Sequence, residues 1–218
     1  MVKVGASLLA KQEEMEKESL AKKITKLEKA GIDMIHWDVM DGVYNPINTM
    51  AFQGPDVIKE LRKITGLPFV AHLMIANPIE KIQAFHEAGC DIIVFHYEAC
   101  KKDDVSKTID EIRSYKRIPG IAIEPDTPVG VIYPYLDLLD YVLIMTVKTG
   151  YAGQKFIDET NKIRNLALKK GSFEIDVDGG INDITGKLCI GAGATALSAA
   201  SYISGSDDYS VAIKKLRG

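Results

Sequence analysis

Apolar residues along this chain alternate between two spacings. Val2–Leu9 is a short apolar run of the kind that forms a strand, whereas Glu13–Ala30 carries Met15, Leu20, Ile24 and Leu27 at helical spacing. Gly31 follows as a helix-ending residue. The same cycle then recurs. Strand Met34–Asp38 precedes helix Asp56–Ile64, Phe69–Met74 precedes Ile79–Ala88, and Ile92–His96 precedes Asp103–Tyr115. Gly120–Ile123 precedes Val129–Leu136, and Tyr141–Met145 precedes Asp158–Lys169. Phe173–Val177 precedes Ile184–Ile190, and Ala196–Ala199 precedes Tyr209–Leu216. About eight β–α units predict an α/β fold of the (β/α)8 TIM-barrel type. An open doubly wound sheet is the alternative, but no Gly-x-Gly-x-x-Gly follows Leu9. With no linker or low-complexity tract, residues 1–218 read as one barrel domain.

Composition narrows the function classes. With 46% hydrophobic and 26% charged residues, the chain matches a globular protein able to bury a full core. A net charge of −3 supplies no basic footprint for nucleic acid. Cys90, Cys100 and Cys189 form no Cys-x-x-Cys pair and are expected to be reduced, pointing to the cytoplasm. The apolar run from Val4 to Ala10 is too short to span a bilayer, and neither a signal peptide nor a membrane partner is expected.

Chemistry concentrates at strand ends. In His36-Trp37-Asp38-Val39-Met40-Asp41-Gly42, alternation puts His36, Asp38 and Met40 on one face and Trp37 and Val39 on the other. Imidazole beside carboxylate suits a borderline divalent cation such as zinc, iron, manganese or cobalt, although a hydrogen-bonded pair would look the same. His72 in Ala71-His72-Leu73-Met74 and Asp178 in Asp178-Gly179-Gly180 close two further runs. A barrel converges such residues at its carboxyl-terminal face, where Ser7 and Met145 also belong. Glycines after strands six and seven, Gly150, Gly153, Gly179 and Gly180, together with Ser201 after strand eight, could bring backbone N–H groups to an anion. Met40, Met74 and Met145 could fill space above the core or form an apolar cap that excludes water.

Taken in order, these motifs resemble the ribulose-phosphate 3-epimerase family and its relatives acting on other ketose phosphates. The resemblance runs through Ser7-Leu8-Leu9, His36 to Gly42, His72-Leu73-Met74, Met145-Thr146-Val147, Gly150 to Phe156 and Asp178 to Asn182, essentially the whole chain. It implies a barrel of the ribulose-phosphate binding type, a small-molecule ketose phosphate as partner, a homo-oligomer, and inversion at C3 through an enediolate. Carried over by position, His36, Asp38, His72 and Asp178 would hold one divalent metal ion, with no nucleotide cofactor. Asp38 and Asp178 would be the catalytic acid–base pair. Ser7, His72, Gly150, Tyr151, Ala152, Gly153, Gly179, Gly180, Ala200 and Ser201 would contact substrate.

The chain departs from the family at Val70, where an Asp is common, at Lys148-Thr149 in place of Asn-Pro, at Tyr151-Ala152 in place of Phe-Gly, and at Ala200 in place of Gly. Thr149 in place of proline is expected to leave its loop freer, which keeps a hexulose 6-phosphate such as D-allulose 6-phosphate open beside D-ribulose 5-phosphate. Lys148 either reaches the substrate or points into water. A phosphate-binding barrel lyase and a non-catalytic sugar-phosphate binder are the competing classes.

Overall fold

Strands rich in Val, Ile and Leu on both faces belong to a parallel sheet covered on both sides, and that is what the chain builds. The computed structural model describes residues 1–9, 16–151, 153–169 and 171–218. Eight parallel strands close into a barrel in chain order: β1 Lys3–Ser7, β2 Met34–Met40, β3 Phe69–Met74, β4 Ile92–His96, β5 Ile118–Ile123, β6 Tyr141–Met145, β7 Glu174–Asp178 and β8 Ala196–Ala199. Outside it lie helices α1 Lys17–Lys29, α2 Met50–Gln53, α3 Pro55–Leu61, α4 Ile82–Glu87, α5 Val105–Ser114, α6 Thr160–Ala167, α7 Asp183–Ala192, α8 Ser201–Ser204 and α9 Tyr209–Arg217.

Several boundaries differ from the sequence reading. β2 runs on to Met40 and β7 to Asp178, because barrel pairing continues one or two residues into the polar strand ends. The start expected for the first helix at Glu13, and Met15 within it, lie outside the described residues; the helix is seen from Lys17. The segment read as a helix over Val129–Leu136 is a 3-10 stretch, Val129–Leu138, containing Pro134. Proline has no N–H to donate and its ring blocks the preceding turn of an α-helix.

The apolar core has two parts. Outward-facing strand residues such as Ile35, Trp37, Phe69, Ile93 and Val142 meet buried helix residues such as Leu20, Ile24, Ile58 and Ile109. Inward-facing Met34, Val70, Val94, Leu143 and Tyr141 fill the barrel itself. The barrel is therefore plugged from below, and chemistry is confined to its carboxyl-terminal rim. No helix among the described residues is long and apolar enough to cross a membrane.

Candidate active site

Strand register assembles the site. Ser7 pairs with His36, Asp38 with His72, Met40 with Met74, and Met145 with Asp178. Alternation turns each of these side chains inward, while Trp37 packs outward, edge-on to Phe69. Ligating atoms of His36, Asp38, His72 and Asp178 consequently lie within 4.8 Å of one another. His36 Nε2 is 3.3 Å from Asp38 Oδ1 and 3.7 Å from Asp178 Oδ2. His72 Nδ1 is 3.0 Å from Asp38 Oδ1, 3.8 Å from Asp178 Oδ2 and 3.2 Å from His36 Nε2. Four polar strand-end residues from β2, β3 and β7 thus stand together at one end of the barrel.

Beneath them is a buried polar layer that the sequence reading missed. Tyr141 and Ser198 both donate hydroxyl protons to Asp176 Oδ2, across 2.6 and 2.7 Å. Asp176 Oδ1 takes the backbone N–H of Val177. Because Ser198 has one proton and gives it to Asp176, its oxygen accepts from His36 Nδ1, 3.0 Å away. His36 Nε2 is thereby the nitrogen aimed into the cluster. Asp176 was findable from sequence: it lies two residues before Asp178 and shares its face. His96, at the end of β4, was missed too. Its Nε2 is 2.8 Å from His72 Nε2, and its Nδ1 faces Glu98 and Glu124 at 3.4 and 3.8 Å.

The charges are strongly perturbed. Burial opposes a charge on His36, but the carboxylates of Asp38, Asp178 and Asp176 outweigh it and raise the ring to about 9. Burial likewise works against ionised Asp38, yet the charge and hydrogen bond of the neighbouring His36 hold it far below the usual carboxylate range. Asp178 goes the other way: burial and then the neighbouring Asp38 charge push it up to about 8. Burial drives His72 down to about 3 and keeps it neutral. The cluster thus draws positive charge between its carboxylates, and its donors, two imidazole nitrogens and two carboxyl groups, suit a borderline divalent cation. The residues fit a metal ion.

One cavity opens above this cluster. Ser7, Asp38, His72, Asp178 and the three methionines Met40, Met74 and Met145 line it, together with Gly150, Tyr151, Gly153, Gly179, Gly180, Ala200 and Ser201. Ala152 lies outside the described residues. Val70 is buried on the same face as His72 and one layer below it. Lys148 turns away from the cavity and pairs with Asp126 at 2.7 Å, both side chains largely exposed. The expectation of a freer loop at Thr149 is not met. Thr149 Oγ1 donates to Glu124 Oε1 across 2.6 Å and its N–H to Oε2 across 3.3 Å, so a carboxylate pins what a proline would have stiffened.

Fold and site together define a (β/α)8-barrel enzyme with a carboxyl pair and a cation-sized group of N and O donors beneath an open cavity. Residues 3–204 match the ribulose-phosphate 3 epimerase family, and the chain belongs to it. Its relatives include the ribulose-phosphate 3-epimerase of Bacillus subtilis, 40% identical over all of this chain and 99% of that one. The ribulose-phosphate 3-epimerase of Methanocaldococcus jannaschii is 39% identical, over all of this chain and 90% of that one. Among solved structures, 3-hexulose-6-phosphate synthase from Salmonella typhimurium superposes with a TM-score of 0.76 at 16% identity, covering 98% of this chain and 96% of that one. That likeness shows the barrel alone.

Proposed function

We propose that the chain is a metal-dependent ketose-phosphate 3-epimerase that interconverts D-ribulose 5-phosphate and D-xylulose 5-phosphate. The observation that carries this reading is the pair Asp38 and Asp178, whose carboxyl groups open into one cavity against the same two histidines. The His36 charge inclines Asp38 to the ionised form, and burial beside Asp38 inclines Asp178 to the protonated one. Two carboxyl groups pushed apart in this way divide acid from base. Asp38, ionised, takes the C3 proton; Asp178, protonated, returns one to the opposite face. Reversal exchanges the roles. Placed proton transfer of this kind contributes roughly 10²–10⁴-fold.

His36, Asp38, His72 and Asp178 would hold one divalent ion of the zinc, iron, manganese or cobalt type. Such an ion, when bound, supplies Lewis-acid stabilisation of negative charge developing on the substrate. The chain's own groups do the rest. Ser7 fixes Asp38, and the three methionines keep water from the carbanionic carbon. Backbone N–H groups around Gly150, Gly153, Gly179, Gly180 and Ser201 grip the phosphate. The pinned Thr149 loop removes the main argument for a hexulose, so the pentose phosphate stands first.

The test is turnover of D-ribulose 5-phosphate in heavy water with metal content measured on the same sample. The product should carry deuterium at C3, and the unphosphorylated ketose should react far more slowly. Product without deuterium at high conversion would exclude the two-carboxyl mechanism.

A further inference from the structure

Beyond the four ligand residues, the structure poses the question of what aims His72. Asp176 and Ser198 hold His36 from below, but the barrel interior under His72 offers the apolar Val70. A polar neighbour of His72 Nε2 is instead His96 Nε2, 2.8 Å away, with the two rings edge to edge and nearly coplanar, 5.0 Å between centroids and 26° between planes.

Proton positions along this row follow from its outer end. His96 Nδ1 looks at two carboxylates, Glu98 Oε2 at 3.4 Å and Glu124 Oε1 at 3.8 Å. A bare lone pair there would face only negative oxygens, so Nδ1 carries the hydrogen. The two Nε2 atoms lie 2.8 Å apart, so one must donate and the other accept; with Nδ1 as the His96 donor, its Nε2 is the acceptor. His72 Nε2 must then be the donor, and the remaining nitrogen, Nδ1, is left as an acceptor facing the cluster, 3.2 Å from His36 Nε2, whose N–H it can take. That is the tautomer a metal ligand needs. Other contacts hold the outer carboxylates still. Glu98 Oε1 accepts the backbone N–H of Glu124 at 2.9 Å, and Glu124 receives the hydroxyls of Thr149 at 2.6 Å and Tyr44 at 3.3 Å. Tyr44 also packs against the His96 ring, at 5.1 Å between centroids.

We infer that His96, backed by Glu98 and Glu124, is a positioning residue that sets the tautomer and orientation of His72 for metal binding. The row also joins the metal group to the substrate loop, because the Glu124 that faces His96 is the carboxylate that pins Thr149. The inference rests on the metal reading of the four-residue cluster.

The experiment measures zinc and manganese affinity by chelator competition in the wild-type chain and in His96→Phe, His96→Gln, Glu98→Gln and Glu98→Ala. Phe keeps a ring of similar shape but cannot accept a hydrogen bond; Gln can accept from His72 and donate outward. Affinity should fall roughly 10–100-fold in His96→Phe and recover most of that loss in His96→Gln. Glu98→Ala should weaken binding more than Glu98→Gln. At saturating metal, kcat should fall less than affinity does. Wild-type affinity in folded His96→Phe would overturn the inference while leaving the metal reading intact. Should that variant fail to fold, unchanged affinity in both Glu98 variants would overturn it equally. A wild-type chain that takes up no metal would remove both.

Discussion

The Ser7 hydroxyl donates to Asp38 Oδ2 across 2.5 Å, leaving Oδ1 to face both histidines. Ser7 thus divides the work of one carboxylate between its two oxygens. In Ser7→Ala, Asp38 loses this tether but keeps its histidine contacts. Turnover at saturating metal should drop roughly 10–100-fold through misplacement of the base, while metal affinity stays within a few-fold. Steady-state kinetics and a metal titration on one preparation separate the two.

Removing either proposed proton-transfer group should be more severe. Asp38→Asn and Asp178→Asn are each expected to lower turnover by roughly 10²–10⁴-fold, with the fold retained by circular dichroism and metal content measured alongside. Asp38→Asn carries a second signature. Asp38 is the strongest of the charges that lift His36 to about 9, so the ring should lose its proton at a lower pH, readable by NMR in metal-free protein.

Metal uptake should release about one proton at pH 7. His36, raised to about 9, is protonated there and must become neutral to ligate. Asp178, raised to about 8, would face the ion through its unprotonated oxygen and keep its proton on the other as the resting acid. Affinity should therefore weaken about tenfold for each pH unit below 9. Calorimetry in buffers of different ionisation enthalpy counts the protons. Release of two would mean that Asp178 ionises as well and could not serve as the acid.

The glycine loops can be tested through Gly179, whose φ is +116°. An added Cβ there would sit 2.6 Å from Val147 Cγ2 and 2.8 Å from its backbone nitrogen. Gly179→Ala should cost about 1–3 kcal/mol from backbone strain alone and raise KM for the sugar phosphate by displacing neighbouring N–H groups. Gly153, with φ +79° and nothing among the described residues within 4 Å of an added Cβ, should tolerate alanine better. Thermal melts and KM values rank the two.

Thr149→Val preserves shape but deletes the hydroxyl that holds Glu124. KM should rise several-fold with a smaller change in kcat, as expected when a loop that positions the phosphate is loosened. Equal kinetics would show that the backbone bond from Thr149 to Glu124 suffices.

What could be read from the chain divides along physical lines. Barrel strands are buried on both faces, so their apolar runs stand out, and polar residues ending such runs, His36, Asp38, His72 and Asp178, are conspicuous. Helix limits were less legible, because packing and local prolines decide them; Pro134 turned an apolar stretch into 3-10 geometry. His96 and Asp176 escaped notice for different reasons. His96 looks like the last residue of an ordinary strand until the barrel closes it against His72. Asp176 is a charge inside an apolar run, and its Tyr141 and Ser198 partners are distant in sequence. Thr149 read as loss of stiffness because its partner, Glu124, lies on another loop.

The placement of the proposed ligands along the chain has a kinetic consequence. Three donors, His36, Asp38 and His72, come from the neighbouring strands β2 and β3, but the fourth waits for β7, seated between β6 and β8. A chain folded only through its early strands therefore holds an incomplete ligand set, and full coordination becomes available when the circle of strands is joined. Added metal should accordingly slow unfolding of the finished barrel while leaving the folding rate near its metal-free value, the behaviour of interactions that form after the transition state.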